Sequence, residues 1–236
     1  MVLRREDRGE ADRRLTLLDR SGGKHYATAK GARKAGSRLS GSSEPLVHAI
    51  FHLAAGRRAG VVTQVQPLTS YPGLRADYER LSLGMALLEW IDAVVQSGQT
   101  EPGVFETLDR SLRALEEHEA PLVAHIWAMS RLMECEGVLP SWHRCVATGS
   151  PVTEDPAFVT IEGGGYVCLE ASLEFRDRFP MPAEVLIGLA KTAERDEPPP
   201  RLRHDRACLR LLLRFARAAA HRDLPASDAL LAVIEG

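Results

Sequence analysis

The chain has few cysteines and no long hydrophobic run, and both shortages limit what it can be. Its 236 residues contain four cysteines, which are too few and too scattered for a disulfide framework. No apolar run approaches the ~20 residues of a membrane-spanning helix, and the N-terminus lacks the apolar region of a signal peptide. We therefore expect a cytoplasmic protein with no membrane contact.

Acidic residues are scarce in one part of the chain. Residues 1–60 hold 13 Lys and Arg against 6 Asp and Glu, whereas residues 61–236 hold 17 against 26. The net charge of −2 conceals this asymmetry, which predicts that one end of the chain meets an anionic partner.

The motifs of common enzyme classes are also missing from the sequence. The glycine run at 163–165 lacks the Lys-Ser/Thr of a phosphate loop, and no Gly-x-Ser-x-Gly or His-Glu-x-x-His occurs. Cys145 and His143 could suggest a thiol nucleophile, but close neighbours in sequence rarely face each other productively. We expect a protein that is not an enzyme, with a cryptic hydrolase as a distant alternative.

The first seventy residues contain five short runs with strand character. A turn at Asp19–Gly23 separates the second and third runs and predicts a hairpin. Five short strands favour a closed β-barrel of the OB type over residues 1–70, while a small sandwich or an SH3-like barrel fits nearly as well. The runs are Val2–Arg5, Arg13–Leu18, the segment from Lys24, Leu46–Leu53 and Gly60–Val65.

The third run and the loop after it form a candidate nucleic-acid surface. Period-2 alternation places Lys24, Tyr26, Thr28 and Lys30 on one face, and a cationic loop without carboxylates follows. The alternative is a solvated strand face followed by a polar loop. Tyr26 either stacks on a base or is a barrel-surface ring that touches nothing. The candidate DNA contacts are Lys24, Tyr26, Lys30, Arg33, Lys34, Arg38, Arg57 and Arg58.

Helical periodicity begins near Leu74, so the predicted fold class is α+β, with a helical domain over residues 74–236. Apolar stripes predict a helix from Leu74, another over Glu101–Glu116 and a third that ends before Gly137. Pro182–Arg195 and Arg203–Arg222 predict two more. The stripes are Tyr78, Leu81, Met85, Leu88 and Ile91; Phe105, Leu108, Leu112 and Leu115; and Leu122, Ile126, Met129 and Met133.

Residues 141–172 interrupt the helical pattern with an irregular insert that is similar to a degenerate zinc ribbon. Cys145 and Cys168 could be half of each knuckle, but a four-thiolate site needs Cys-x-x-Cys twice. Thr148 and Ala171 occupy the second positions, and neither replaces a thiolate. The prediction is an insert held by packing, with zinc unlikely and no cofactor.

The last predicted helix carries a ridge of arginines. Arg206, Arg210, Arg214 and Arg217 are spaced by four, four and three residues and so share a face. This ridge is either a solvated face or a docking site for phosphates or an acidic peptide.

Three segments in combination resemble the RecO family of bacterial DNA-repair mediators: Ala-Lys-Gly-Ala-Arg-Lys at 29–34, Ser-Tyr-Pro-Gly-Leu-Arg-Ala-Asp-Tyr-Glu-Arg-Leu at 70–81 and Gly-Val-Leu-Pro-Ser-Trp-His-Arg-Cys-Val-Ala-Thr-Gly at 137–149. The resemblance covers residues 10–172 clearly and the C-terminal third more weakly. It implies an OB fold that binds DNA, a helical domain and often a zinc-ribbon insert. It also implies contacts with RecR and with the acidic tail of single-strand binding protein (SSB).

The resulting functional hypothesis is a non-catalytic mediator, cytoplasmic and associated with the nucleoid. It would bind single- and double-stranded DNA electrostatically, promote annealing and help RecA load onto strands covered by SSB, as the family resemblance implies. The alternative is an OB-fold adaptor whose basic surface binds an acidic protein instead of DNA. Single-stranded DNA would displace an acidic peptide from the barrel only in the first case.

Overall fold

The computed structural model describes residues 1–56 and 59–235, with side chains up to residue 232. The chain forms two compact units, residues 1–116 and 117–236. The predicted domain boundary between residues 70 and 74 falls inside the first unit and stays a prediction. No helix among the described residues is long and apolar enough to cross a membrane.

The first unit begins with a five-stranded barrel, as the sequence predicts. Its strand order is β1-β2-β3-β5-β4, with antiparallel pairs except for the parallel pair β3–β5. The ring closes where the Val2 N–H donates to the Val47 oxygen at 2.8 Å and the Leu46 N–H donates to the Val2 oxygen at 3.1 Å. This is the closed OB-type topology. The strands are β1 (Val2–Arg8), β2 (Asp12–Leu18), β3 (Lys24–Ala29), β4 (His48–Ala54) and β5 (Gly60–Thr69).

Alternating side chains on β2 and β3 build the barrel core. Leu15 pairs with Ala27 across the ladder, and both are fully buried. Ala29 and Ala32 are buried as well, and such small side chains leave the limited interior of a five-stranded barrel to the larger Leu and Val residues. The residues that alternate with Ala27 and Ala29, including Tyr26 and Thr28, lie on the other face of β3.

A short helix, α1 (Leu39–Ser42), lies between the cationic loop and β4. The Arg13 guanidinium, almost entirely buried, donates to the Ser40 oxygen at 2.9 Å and to the Ser43 hydroxyl at 2.8 Å. It also donates to the Glu44 carboxylate at 2.9 Å. Because Arg13 pairs with Ala29 in the ladder, these bonds hold α1 beside the end of β3.

Three helices complete the first unit: α2 (Pro72–Ala76), α3 (Tyr78–Val94) and α4 (Val104–Glu117). The apolar stripe predicted for α4 is confirmed, because all four of its members are buried. The stripe predicted for α3 is wrong at its start, since Tyr78 is 77% exposed. Helix α3 instead buries Leu83, Leu87 and Trp90 together with the predicted Leu88 and Ile91.

The second unit is mainly helical, with α5 (Pro121–Cys135), α7 (Ala183–Ala193), α8 (Asp205–Ala220) and α9 (Pro225–Glu235). Ile126, Met129 and Met133 of the predicted α5 stripe are buried, and Leu122 is half-buried. Helix α9 lies beyond the segments for which the sequence predicts helices.

The insert is more regular than the sequence suggests. It forms a three-stranded sheet in the order β7-β6-β8, and its third strand lies past residue 172. Gly165, with φ of 148°, packs so closely on Ser141 that an added Cβ would lie 2.3 Å from the Ser141 oxygen. Trp142, Tyr166 and Val167 are buried, as expected for an insert held by packing. The elements are β6 (Ala157–Thr160), β7 (Gly165–Val167), α6 (Leu169–Ser172) and β8 (Phe179–Met181).

Candidate nucleic-acid interface

Lys24 is not available to phosphates, although the sequence places it on the candidate surface. Its side chain is 8% exposed, and its Nζ donates to the Asp92 main-chain oxygen at 2.8 Å. The Asp92 carboxylate, 4% exposed, lies 3.6 Å from the same Nζ and 3.2 Å from Arg4 Nε. Helix α3 supplies Asp92 and covers this end of β3, so Lys24 has a structural role.

Tyr26 does not stand free on the barrel surface. The Ser97 hydroxyl donates to the Tyr26 hydroxyl at 3.2 Å, and the Arg14 guanidinium lies 4.7 Å from the ring centroid. This is a cation–π contact that occupies one face of the ring. The interpretation of Tyr26 as a ring that touches nothing is therefore wrong, and base stacking by Tyr26 stays a prediction.

Arg14 is a cation that the sequence interpretation missed. It pairs with Thr28 across the β2–β3 ladder, so it lies on the same face as Tyr26 and Lys30. The signal was present in the sequence, because both runs alternate with period 2 and a short turn joins them. The missing step was the register, which decides which residue of β2 lies opposite which residue of β3.

Lys30, Lys34 and Arg38 are exposed at the opposite end of β3 from Lys24. Six residues of extended chain separate Lys24 from Lys30 by about 20 Å. Gly31 and Gly36, with φ of 67° and 74°, turn the loop, and the Lys34 N–H donates to the Gly31 oxygen at 3.0 Å. Arg38 precedes α1, which Arg13 holds beside the same end of β3.

We call Arg14, Lys30, Lys34 and Arg38 the basic surface. Within the part of the chain that the structure describes, none of these four side chains forms an ion pair with a carboxylate. The nearby acidic residues of β1, Glu6 and Asp7, contact other arginines. These four cations, with no ion-pair partner among the described residues, thus lie around one end of the barrel.

Arg33 lies in the same loop but is partly neutralised. Its Nε lies 3.3 Å from the Asp7 carboxylate, and its guanidinium donates to the Gly9 oxygen at 2.7 Å. The Arg33 backbone N–H donates to the Ala11 oxygen at 2.9 Å. These contacts tie the loop to the β1–β2 turn, so Arg33 positions the basic surface more than it adds charge. Arg57 and Arg58, also predicted DNA contacts, lie outside the described residues.

In the second unit, the arginine ridge of α8 divides into two halves. The Arg214 guanidinium packs 4.0 Å from the centroid of the Phe179 ring, and Arg217 pairs with Asp228. Arg206 and Arg210 are exposed, and neither side chain forms an ion pair with any carboxylate among residues 1–56 and 59–232. The half of the ridge that can receive an anion is therefore Arg206 and Arg210.

The two insert cysteines lie together, but their surroundings do not fit zinc. Cys145 Sγ lies 3.6 Å from Cys168 Sγ, and the Thr148 hydroxyl lies 3.8 Å from Cys168 Sγ. Structural zinc takes four Cys or His ligands, whereas Thr148 and Ala171 occupy the sequence positions of the other two, and neither supplies a thiolate. Among the described residues, no cluster of three or more His, Cys, Asp and Glu could hold a metal ion.

Comparison with known proteins identifies the family. A model of the RecO N-terminal domain matches residues 1–71, and a model of the RecO C-terminal domain matches residues 75–225. The chain belongs to the RecO family. The matches to the two family models meet near the end of the barrel. The predicted resemblance to RecO is confirmed.

Individual RecO relatives agree with this assignment. The chain is 32% identical over 199 residues to a protein of Gloeobacter violaceus, covering 84% of this chain and 76% of the relative. It is 35% identical over 164 residues to one of Alkaliphilus metalliredigens, covering 69% and 67%. It is also 34% identical over 182 residues to one of Roseiflexus, covering 77% and 64%. All three carry the name DNA repair protein RecO.

Proposed function

We propose that this chain is a non-catalytic mediator of recombinational DNA repair that binds single- and double-stranded DNA through the basic surface. The observation that carries the proposal is a group of four cations, Arg14, Lys30, Lys34 and Arg38, on an OB-type barrel, none of which is paired with a carboxylate in the described part of the chain. OB folds bind strands through a positively charged groove that follows the phosphate backbone. The name of the matched relatives, DNA repair protein RecO, agrees with such a role.

The proposed binding mode is electrostatic and tolerant of sequence. Guanidinium and ammonium groups neutralise phosphates and release counterions, so affinity falls steeply as salt rises. Charge supplies most of the affinity in this mode, because Arg14 covers one face of Tyr26 and at most the other face can receive a base. Binding without base readout suits a protein that must act on strands of any sequence, and it would support annealing of complementary strands.

Binding of fluorescent single-stranded DNA, measured by anisotropy at two salt concentrations, tests the proposal. Reversing Lys30 and Lys34 to Glu should weaken binding strongly and flatten its salt dependence. Lys191 and Arg201, exposed cations of the second unit, provide a control of equal charge change when both are reversed to Glu. Titrations of the Lys30/Lys34 variant that match those of the wild-type protein would remove the basic surface from the proposal.

The partners of the proposed function are RecR, the acidic tail of SSB and, indirectly, RecA, all implied by the family. For the acidic tail, the arginine ridge offers a specific candidate site, because Arg206 and Arg210 expose two guanidinium groups one helical turn apart. An acidic peptide could dock there while DNA occupies the barrel. The chain would then work at the chromosome, in the nucleoid.

The peptide site is tested separately from the DNA site. Arg206→Glu with Arg210→Glu should abolish binding of a fluorescent acidic peptide while leaving DNA affinity close to the wild-type value. Lys191→Glu with Arg201→Glu is again the control, because it makes the same charge change elsewhere in the second unit. Undiminished peptide binding by the Arg206/Arg210 variant would exclude the ridge.

The adaptor alternative predicts a different pattern. If the basic surface binds an acidic protein instead of DNA, single-stranded DNA should leave the peptide bound, and Lys30→Glu with Lys34→Glu should weaken peptide binding. If the surface binds DNA and the ridge binds the peptide, DNA and peptide should bind together.

A further inference from the structure

The insert brings together two thiols that are 23 residues apart in the sequence. The first turn carries Cys145, whose N–H donates to the Ser150 oxygen and whose oxygen accepts from the Gly149 N–H, both at 2.8 Å. The second turn carries Cys168, directly after β7. A bond from the Val146 N–H to the Tyr166 oxygen, at 2.9 Å, ties the two turns together.

The groups around Cys145 donate hydrogen bonds that stabilise its thiolate form. The Cys168 backbone N–H donates to Cys145 Sγ at 3.3 Å. Burial raises the pKa of the Cys145 thiol, but hydrogen bonds from the Thr148 hydroxyl and from the backbone N–H groups of Cys168, Thr148 and Ala147 outweigh it and lower the pKa to about 7. The thiolate is the reactive form of cysteine, so these hydrogen bonds favour Cys145 as the attacking sulfur of the pair.

The other two cysteines lie on helices outside the insert. Cys208 is fully buried in α8, and burial raises the pKa of its thiol to about 12. Cys135 lies at the end of α5 and forms no disulfide. Within the pair, Cys145 is buried and Cys168 is partly exposed, so a small oxidant reaches the two sulfurs from the Cys168 side.

We propose that Cys145 and Cys168 are a redox-responsive pair that closes to an intramolecular disulfide on exposure to a hydroperoxide and reopens with a thiol reductant. The 3.6 Å between the two sulfurs must shorten to about 2.05 Å, a movement within reach of side-chain rotation. The disulfide would link the same two turns that zinc links in a complete ribbon.

The chemistry balances with hydrogen peroxide as the oxidant. The Cys145 thiolate attacks one peroxide oxygen; the sulfur–oxygen bond forms as the oxygen–oxygen bond breaks, and the departing hydroxide takes up a proton to leave as water. The Cys168 sulfur then attacks the Cys145 sulfenic acid, the sulfur–sulfur bond forms, and the hydroxyl leaves as water with the Cys168 proton. Two thiols and one peroxide thus give one disulfide and two waters.

Intact-mass measurement and peptide mapping of the full chain test the pair. After treatment with equimolar hydrogen peroxide, the reduced protein should lose about 2 Da, two of its four thiols should resist alkylation, and the map should contain a 145–168 crosslink. Dithiothreitol should reverse all three changes. Stable sulfinic acid without a crosslink, or a crosslink to Cys135, would overturn the proposal.

Variants assign the roles. Cys145→Ser and Cys168→Ser should each abolish the crosslink, while Cys135→Ser and Cys208→Ser should retain it. Thr148→Val removes the hydroxyl that helps to lower the pKa of Cys145, so the pH profile of the oxidation rate should move to higher pH while the final crosslink still forms; an unmoved profile contradicts thiolate activation. The mass change, the alkylation and the crosslink are all measured on the wild-type protein, so the main test does not depend on the folding of any variant. One tightly bound zinc per chain in the reduced protein, released by oxidation, would also overturn it.

Discussion

Counting phosphate contacts is the sharpest test of the basic surface. The perturbation is a triple substitution of Lys30, Lys34 and Arg38 to Ala. All three side chains are exposed and lie in or beside one loop, so their removal should leave the barrel core intact. Arg14 is kept, because its contact with Tyr26 could alter the ladder.

The expected magnitude follows from counterion release. Each neutralised phosphate of a single strand contributes about 0.7 to the slope of log K against log salt, so three contacts contribute about 2. If these contacts add nothing at 1 M salt, they raise affinity about a hundredfold at 0.1 M, which is about 2.8 kcal/mol. The variant should therefore bind about a hundredfold more weakly at 0.1 M salt.

The assay is fluorescence anisotropy of a short single-stranded oligonucleotide across a salt series. The control replaces three other exposed cations, Arg20, Lys191 and Arg201, by Ala and so removes the same total charge. If binding depends on net charge and not on the loop, both variants should lose slope equally. Equal slopes for wild type and both variants would refute phosphate contact by this surface.

Three further predictions concern stability. Lys24→Met should lower the free energy of unfolding by about 3 kcal/mol in urea melts, at the low end for a broken buried pair because Arg4 still neutralises Asp92. Tyr71→Phe should cost about 1–2 kcal/mol, since the buried Tyr71 hydroxyl donates to the Asp109 carboxylate at 2.5 Å. Burial lowers the pKa of His48, so the unfolded chain takes up its proton first, and stability should fall as pH drops below about 6.5.

Each of these has a matched control. Lys34→Met removes an exposed lysine and should leave the urea midpoint unchanged; an equal loss in Lys24→Met and Lys34→Met would contradict a buried pair. Asp109→Asn retains a hydrogen-bond acceptor for Tyr71 and is the control for Tyr71→Phe. Because the two side chains are in contact, the double variant should lose less free energy of unfolding than the sum of the two single variants. His48→Gln should reduce the slope between pH 7 and 5 without abolishing it, because burial also lowers the pKa of the Met1 amino group to about 5; an unchanged slope would assign the pH dependence to groups other than His48.

Local periodicity predicted most of the elements, because it depends only on near neighbours in the chain. Leu15 and Leu17 alternate with polar residues, which specifies an inward face for β2. The α4 stripe from Phe105 to Leu115 specifies the buried side of that helix in the same way. At Tyr78 the same argument was wrong, because the Tyr78 side chain at the start of α3 faces solvent.

The sequence by itself determined the five strands, the main helices, the cationic loop and the family. Only the tertiary structure decided which of the predicted cations are unneutralised: Lys24 meets Asp92, 68 residues away, while Lys30 meets no carboxylate among the described residues. It also decided that Cys145 and Cys168 lie in contact. The physical reason is that alternation assigns a side chain to a face, whereas the burial and charge of that face depend on distant segments that pack against it.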